Sequence, residues 1–478
     1  MSNFKNFVFS AIPDGQERQF DPRKRVNFLP MIELLTRILT PALCQTVFDQ
    51  FRDTQRERKW TFQAIARFWT AMIIDNPPSL QNGLDQTRKG RGKSKLWPRV
   101  ISSPQSFFQK SSALKPELFK QLYDAFTAQI LPQTRPLYAS WVQNLRENFP
   151  DILVVDGSRL DAVAHRLKLL RRQDWTVLPG CVTVFYDLFR GITRQVWFYP
   201  DAAEAEVPRS KNAFEFIAAG TLILGDRLYA GVQYFHSLAQ HNLYGLFRRH
   251  GSLKIKTLEI ISVQRLGRFF LEDSIVEVGS GLEYPKLRLR LIRYKDSQRR
   301  LDLLSSVLDV KKLSAQQALE LYGLRWTVER LFLELKETLN LHGLYSSHPS
   351  LVAQQVYASA IVHSAFRTSQ AMIAKQCKIL PEQVSPGKLF PKLAQASRDY
   401  CVLNWSMLET QALNPGTKIK FPNFSHYPSS YARLSSILCK KRTSKRYKKK
   451  FKTSTRKRWK SIAHFPGGKA FLKSLTVH

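Results

Sequence analysis

The amino-acid sequence predicts an α/β core with a β-rich insertion, flanked by helical N-terminal and C-terminal regions. Three patterns lead to this fold class: short apolar runs typical of buried strands after Pro150, alternating apolar and basic residues within 252–312, and apolar residues at helical spacing on both sides of the core. The predicted divisions are a helical region (1–145), the core (146–345, with 252–312 as the insertion), a second helical region (346–436) and a basic tail (437–478).

The N-terminal region carries apolar residues at helical spacing in three stretches, Met31–Phe51, Trp60–Ile74 and Leu118–Ile130. A helical DNA-binding domain explains this pattern. A helical scaffold or a dimerisation element explains it equally well, and the residues alone favour neither.

A basic loop is expected at Arg88–Lys95. Its Gly92-Lys93-Ser94 segment looks like the end of a phosphate-binding loop. That motif requires a glycine where Thr87 stands and a strand directly before it, and neither requirement is met. The sequence therefore predicts no nucleotide cofactor.

The core begins with a run, Ile152–Val155, that is typical of a strand buried on both faces, and this run ends at Asp156. A second buried strand, Thr221–Gly225, ends at Asp226. The other predicted elements are a hairpin (Cys181–Tyr186 with Gln195–Tyr199), a helix at about 211–219, a helix at Val232–Gln240 and a strand at Tyr244–Phe247.

Both aspartates are therefore predicted at the carboxyl ends of buried strands. Open α/β sheets place their sites at such ends, so adjacent parallel strands would direct Asp156 and Asp226 into one crevice. For either aspartate alone, a turn residue or a helix N-cap is the commoner explanation. The functional interpretation depends on a third carboxylate.

That carboxylate is Glu329, in the segment 321–336 of a predicted helix. At about 100° per residue, Tyr322, Arg325, Glu329 and Lys336 share one stripe of this helix. The helix should begin with a capping box formed by Ser314 and Gln317 and end near Gly343. An apolar face runs beside the stripe, formed by Leu324, Val328, Leu331, Phe332 and Leu335. The alternative is an ordinary helix surface with an Arg325–Glu329 ion pair.

The charge balance indicates a polyanionic partner. The chain holds 74 Lys and Arg against 37 Asp and Glu, a formal net charge of +37. Nucleic acid is the first candidate and an anionic membrane surface the second. After Glu409 there is no acidic residue, and 18 Lys and Arg follow, 13 of them between Lys440 and Lys460. Such a tail is expected to bind phosphates without sequence preference.

These residues resemble the DDE transposases of the insertion-sequence-four type. Val154-Val155-Asp156-Gly157-Ser158 is similar to the first-aspartate strand of that family, and Leu224-Gly225-Asp226-Arg227-Leu228-Tyr229 to the second. The set Tyr322, Arg325, Glu329 and Lys336 matches the Tyr-Arg-Glu-Lys signature at full spacing, with Trp326 after the arginine. The resemblance covers roughly 150–345 and implies an RNase H-like core.

The resemblance implies cut-and-paste transposition by a prokaryotic, cytoplasmic and nucleoid-associated enzyme. Asp156, Asp226 and Glu329 would be catalytic and would bind two Mg²⁺ ions, for which Mn²⁺ can substitute. Tyr322, Arg325, Trp326 and Lys336 would contact DNA. The partners would be the terminal inverted repeats of the element, target DNA and a second copy of the chain in a synaptic complex. No membrane partner is expected.

Two other functions are compatible with these motifs. One is a catalytically inactive or repurposed DNA-binding protein derived from a transposase, and the other is a nuclease of the same fold without strand transfer. The sequence also departs from relatives that form DNA hairpins and stack a flipped base on a tryptophan of the insertion, because no tryptophan lies between residues 198 and 325. The strand-cleavage route is therefore left open.

Overall fold

The computed structural model describes residues 25–30, 32, 41–88, 97–134, 140–160, 180–202, 204–266, 269–279, 284–296, 300–335, 339, 343–379, 381–413 and 430–438. The chain divides into two units, Met1–Ile437 and Leu438–His478. The elements below belong to the first unit.

Strands and helices are numbered separately in chain order. The strands are β1 (Arg25–Asn27), β2 (Ile152–Arg159), β3 (Cys181–Asp187), β4 (Ile192–Tyr199), β5 (Leu222–Gly225), β6 (Tyr244–Arg248), β7 (Ile255–Leu266), β8 (Phe269–Val278), β9 (Leu287–Lys295), β10 (Arg300–Ser305) and β11 (Tyr431–Arg433). The helices are α1 (Pro41–Phe51), α2 (Phe62–Asp75), α3 (Leu80–Arg88), α4 (Pro104–Ala113), α5 (Pro116–Ile130), α6 (Ser140–Asn144), α7 (Glu206–Ser210), α8 (Val232–Gln240), α9 (Ala315–Leu324), α10 (Trp326–Leu333), α11 (Pro349–Cys377), α12 (Pro386–Leu413) and α13 (Leu434–Ile437).

Within the described residues, nine strands form one mixed sheet in the order β4-β3-β2-β5-β6-β10-β9-β8-β7. Strand β2 is antiparallel to β3 and parallel to β5, and β5 is parallel to β6. Strands β3 and β5 are buried along their whole length because helical segments cover both faces of this part of the sheet. Residues of α8 and of the 3₁₀ turn at Lys211–Phe216 cover one face, and α10 and α11 pack on the other. The predicted order of strands and helices in the core is confirmed.

The predicted insertion is β-rich, as expected, but it continues the core sheet. Strand β10 pairs antiparallel with β6, through Leu304 and Phe247 among others, and β9, β8 and β7 follow outward. This pairing joins segments far apart in the chain, so local sequence patterns do not reveal it.

One helix boundary was predicted wrongly. A helix was expected at about 211–219, but the α-helix is α7, which begins at Glu206 and is followed by a 3₁₀ turn, Lys211–Phe216. Pro208 lies in the first turn of α7, where a missing N–H group leaves no helical hydrogen bond unmade.

Helix α11 connects the N-terminal helices to the sheet. It packs against α2, α4, α5 and β4. The indole Nε1 of Trp69 donates to Gln354 Oε1 at 2.7 Å, and Gln354 Nε2 donates to the Ser111 carbonyl at 2.8 Å. On the sheet side, the Phe198 amide donates to the Tyr357 hydroxyl at 3.2 Å. The described N-terminal helices are therefore packed onto the core, and their predicted role in DNA binding stays a prediction.

The C-terminal helical region contains α11 and α12, as the apolar spacing predicted. Strand β11 was not predicted; it pairs antiparallel with β1 near the other end of the chain. In the described parts of the chain, every helix is too short or too polar to cross a bilayer. The predicted basic loop after Arg88 and the basic tail lie almost entirely outside the described residues.

A buried ion pair links the insertion to the helix that carries the signature residues. Arg290 of β9 donates to both carboxylate oxygens of Asp273 in β8, at 2.6 and 2.5 Å, and also to the Leu313 carbonyl just before α9. Both side chains are fully buried. Removing one partner would leave an uncompensated charge in the interior.

We expect Arg290→Ala or Asp273→Ala to lower the free energy of unfolding by about 3–5 kcal/mol. The double variant Asp273→Leu/Arg290→Met should recover most of this loss, because it leaves no buried charge. Denaturant titration provides the measurement. Lys286→Ala, which breaks the partly exposed pair between Lys286, just before β9, and Glu277 of β8, is the control and should lower the free energy by less than about 1 kcal/mol. Single variants as stable as this control would contradict the assigned role.

Candidate active site

Two aspartates lie at the same level of two neighbouring strands of the sheet. Val154 of β2 is paired with Leu224 of β5, and Asp156 and Asp226 each follow two residues later on these adjacent parallel strands. Neighbouring strands are about 4.8 Å apart, so both carboxylates belong to the same edge of the sheet. The condition on which the sequence analysis depended, that the two strands be adjacent and parallel, is therefore met.

The position of Asp156 differs in one respect from the prediction. Strand β2 does not end at Asp156 but continues to Arg159, because its antiparallel pairing with β3 extends to Cys181. Only the pairing with β5 stops before Asp156. The carboxylate therefore lies where one neighbouring strand has ended and the other still holds the backbone in place.

Asp226 also acts as an N-cap, one of the two structural roles that the sequence analysis gave as alternatives to a catalytic role. It is the N-cap of a 3₁₀ turn, Arg227–Tyr229, and its Oδ1 accepts a hydrogen bond from the Leu228 amide at 2.6 Å. This cap fixes the side chain at the end of β5. A cap bond occupies one carboxylate oxygen and leaves further acceptor sites on the group.

Burial and neighbouring charges strongly perturb Asp156. Desolvation, followed by the negative charges of Glu206 and Asp226, raises the pKa of Asp156 to about 7, against a lowering by Arg325. Like charges held close together resist simultaneous ionisation. The site therefore concentrates negative charge that a cation would neutralise.

The helix with the signature residues lies against this edge. The predicted capping box is confirmed: Ser314 Oγ accepts from the Gln317 amide, and the Gln317 side chain accepts from the Ser314 amide. Helix α9 ends at Leu324, Arg325 continues in a helical conformation, and α10 follows and packs on β2. The expected single helix is thus interrupted at Arg325. The expected cap at Gly343 is not tested, since the residues before it lie outside the described part of the chain.

Tyr322 is buried at the junction between this helix and the sheet. Burial raises its pKa, the positive charges of Arg325 and Arg248 lower it, and the negative charge of Asp226 raises it. Tyr322 and Arg325 therefore lie within electrostatic range of the two aspartates. Lys336 is outside the described residues, so its predicted place on the stripe is untested.

Arg325 is a cation whose charge acts on Asp156. Its Nη2 donates to Glu329 Oε1 at 3.1 Å, and its guanidinium lies 4.7 Å from the ring centroid of Trp326. The Arg325 side chain is 11% exposed, and its Nε–H has no hydrogen-bond partner among the described residues. Trp326 is 55% exposed. The guanidinium of Arg325 thus has a buried Nε–H group without a hydrogen-bond partner among the described residues, and it lies beside the exposed ring of Trp326.

Glu329 is directed at Arg325, and its side chain is 44% exposed. The described residues contain no group of three or more histidine, cysteine or acidic side chains arranged to hold a metal ion. The structure thus brings Asp156 and Asp226 together and shows the Arg325–Glu329 ion pair that was the alternative interpretation of the helix. The metal-binding role predicted for the three carboxylates stays a prediction.

One acidic neighbour was missed by the sequence reasoning. Glu206, the first residue of α7, is a larger electrostatic influence on Asp156 than Asp226 is. Glu204 and Glu206 lie two residues apart, and the sequence gives no reason to prefer one of them. Only the folded structure shows that the charge of Glu206 acts on Asp156. No local signal singled out Glu206, because the helix was expected to begin near residue 211 and in fact begins at Glu206.

The raised pKa of Asp156 predicts a pH-dependent stability. Because the folded state favours the protonated acid, stability should fall as pH rises between about 3.8 and about 7 in the absence of divalent cations. Asp156→Asn cannot ionise, so it should match the wild-type melting temperature at pH 4 and exceed it at pH 8. Thermal melts in a chelator provide the measurement, with Asp49→Asn, an exposed aspartate of α1, as control. A wild-type advantage at pH 8 would contradict the pKa assignment.

Comparison with known families adds an independent observation. Residues 204–364, about a third of the chain, match the family model of the transposase DDE domain. The matched segment includes Asp226, the insertion and the helix with Arg325 and Glu329, whereas Asp156 lies before it. No curated protein matches the chain. The match supports a DDE transposase, an enzyme class that acts on DNA and generally uses divalent metals.

Proposed function

We propose that this protein is a cut-and-paste DNA transposase that cleaves the ends of a mobile element and joins them to target DNA. The observation that carries the proposal is the meeting of Asp156 and Asp226 on adjacent parallel strands beside the helix of Tyr322, Arg325 and Glu329. The order of β4, β3, β2, β5 and β6 is in keeping with an RNase H-like core.

The donor chemistry of the site suits a hard divalent cation. Carboxylate oxygens are the ligands that Mg²⁺ prefers, and the pKa of Asp156 is raised first by burial and then by the negative charges of Glu206 and Asp226, all of which a bound cation would offset. When bound, two Mg²⁺ ions, or Mn²⁺ in their place, would activate the attacking water or hydroxyl and stabilise the leaving 3′ oxygen. Asp156 and Asp226 would supply ligands from the two strands, and Glu329 would supply one from the helix.

Glu329 has to leave Arg325 to take this role. Its side chain is 44% exposed, so solvent screens its ion pair with Arg325, whose own side chain is 11% exposed. Rotation toward the aspartates would break this contact at its solvent-exposed end. The same movement frees the guanidinium of Arg325.

A freed Arg325 is suited to hold a DNA phosphate. Arginine binds phosphate through two parallel N–H donors, and the Nε–H of Arg325, which is buried without a partner among the described residues, would supply one of them once the side chain has turned toward the DNA. Tyr322 would donate one further hydrogen bond, and Lys336 would contribute a point charge. Trp326, whose indole is exposed, would offer a surface on which a base can stack. These contacts would position a strand end over the carboxylates.

Transposition requires two element ends and therefore two active sites. We propose a homodimer that pairs the terminal inverted repeats in a synaptic complex. Phosphate contacts position DNA without reading its sequence, so recognition of the repeats must come from base contacts elsewhere, for which the N-terminal helices are the candidate.

A catalytically inactive, transposase-derived DNA-binding protein is the second candidate. The Arg325–Glu329 ion pair favours it, because this pair keeps Glu329 away from the aspartates. In that case DNA carrying the repeats would be bound but not cut. A nuclease without strand transfer would instead cut the DNA and form no joined product.

Asp156→Asn, Asp226→Asn and Glu329→Gln should each reduce strand cleavage to background while leaving DNA affinity within about threefold of wild type, because phosphate contacts supply most of the affinity. The assay combines purified protein, Mg²⁺ and DNA ending in the element's repeats. Asp85→Asn, on helix α3, is a control that should cleave normally. Wild-type cleavage by all three variants would reject the carboxylate site, and binding without cleavage by the wild-type protein would select the second candidate.

Truncation after Leu438 should weaken binding to every DNA sequence and flatten its dependence on salt. The removed segment carries 15 Lys and Arg and no acidic residue, and each phosphate it neutralises should contribute about 0.9 to the slope of log affinity against log salt. Ile437 is retained because it is buried and its carbonyl accepts a hydrogen bond from the Ser385 amide. Fluorescence anisotropy at several salt concentrations gives the slope, and an unchanged slope would contradict a phosphate-binding tail.

A further inference from the structure

Glu206 is a half-buried carboxylate to which the proposed chemistry gives no role. Its carboxyl group covers Gly157, the residue after Asp156. A Cβ atom at position 157 would lie 2.6 Å from Glu206 Oε2, closer than side chains approach one another. Glycine at this position therefore allows Glu206 to approach the backbone of β2 beside Asp156.

The other carboxylate oxygen of Glu206 accepts a hydrogen bond from a buried tyrosine. Tyr229 donates its phenolic hydrogen to Glu206 Oε1. Tyr229 is fully buried and closes the 3₁₀ turn that Asp226 caps. Its ring packs against Tyr234 and Phe247, with centroid distances of 5.3 and 6.3 Å. The phenol thus has a fixed position relative to Asp226.

Glu206 consequently bridges the two aspartate segments. One end of the bridge is the Asp156-Gly157 backbone of β2, and the other is the turn that follows Asp226. Pairing between β2 and β5 has already stopped at Val154 and Leu224, so no sheet hydrogen bond joins the strands at the level of the aspartates. Glu206 therefore connects the two segments at the level where the backbone pairing of β2 and β5 has ended.

We propose that Glu206 is a positioning residue of the carboxylate site: it sets the spacing of Asp156 and Asp226 through Gly157 and Tyr229, and its charge strengthens their attraction for a divalent cation. This inference rests on the proposed function. A third negative charge beside two ligand carboxylates deepens the local potential, which favours binding of a cation. Residues that orient metal ligands typically contribute about 10- to 100-fold to metal affinity.

Two variants separate the charge from the hydrogen bond. Glu206→Gln keeps the size of the side chain and an oxygen that can accept from Tyr229, but removes the charge. Tyr229→Phe keeps the charge of Glu206 and removes the hydrogen bond. Glu204→Gln is the matched control, since it makes the same charge change two residues away at an exposed position.

Isothermal titration calorimetry of the full-length protein with Mn²⁺ at pH 8 tests the inference. Glu206→Gln should weaken Mn²⁺ binding about 10- to 100-fold and Tyr229→Phe several-fold, with Glu204→Gln within twofold of wild type. The Mg²⁺ concentration that gives half-maximal cleavage should rise in parallel, with the KM for DNA unchanged. Gly157→Ala provides a second route to the same effect, because its methyl group displaces Glu206 without altering any charge.

Asp226→Asn, measured alongside, distinguishes the possible failures. If Asp226→Asn abolishes Mn²⁺ binding while Glu206→Gln and Gly157→Ala bind as wild type does, Glu206 has no positioning role and the proposed function stands. If the wild-type protein binds no Mn²⁺, the proposed function fails and the role of Glu206 fails with it. A smaller loss in Glu206→Gln than in Glu204→Gln would also overturn the inference.

Discussion

The parallel pairing of β2 with β5 is the constraint on which the candidate site depends. It brings together two carboxylates that are 70 positions apart in the chain, at a level where their mutual repulsion is only partly screened by solvent. Two such groups would not approach one another unaided. The surrounding core stabilises the arrangement, because moving β2 or β5 to separate the carboxylates would disrupt packing around β5 and the neighbouring β3, both of which are wholly buried.

The cationic side of the site depends on Arg325 in a similar way. This residue lies within electrostatic range of Asp156, pairs with Glu329 and stacks on Trp326. In the proposed mechanism it exchanges one anion for another, a carboxylate of its own helix for a phosphate of DNA. Such an exchange is open to Glu329 because its side of the pair is exposed to solvent, whereas the Arg325 side chain is mostly buried and would remain paired with an anion.

Much of the architecture could be predicted from local sequence patterns. Continuous apolar runs identified β2 and β5, and Ser314 with Gln317 identified the start of the signature helix, because these signals depend on residues close together in the chain. The pairing of β10 with β6 could not be predicted, since it depends on contacts between distant segments. The role of Glu206 could not be predicted for the same reason. It depends on contacts with the backbone of β2 and with the phenol of Tyr229, which are distant from Glu206 in the chain. The orientation of Glu329 toward Arg325 was one of two arrangements that the helix spacing allowed, and helical periodicity alone does not choose between them.

We propose that Asp156, Asp226 and Glu329 act together on a bound strand end. A crystal structure of the protein with Mn²⁺ and DNA ending in the element's repeats tests it most directly. The account predicts anomalous scattering from Mn²⁺ between Asp156 and Asp226, with Glu329 turned away from Arg325 and Arg325 on a phosphate. Ordered DNA at this edge of the sheet with Glu329 still paired to Arg325, and Mn²⁺ bound elsewhere or absent, would contradict it.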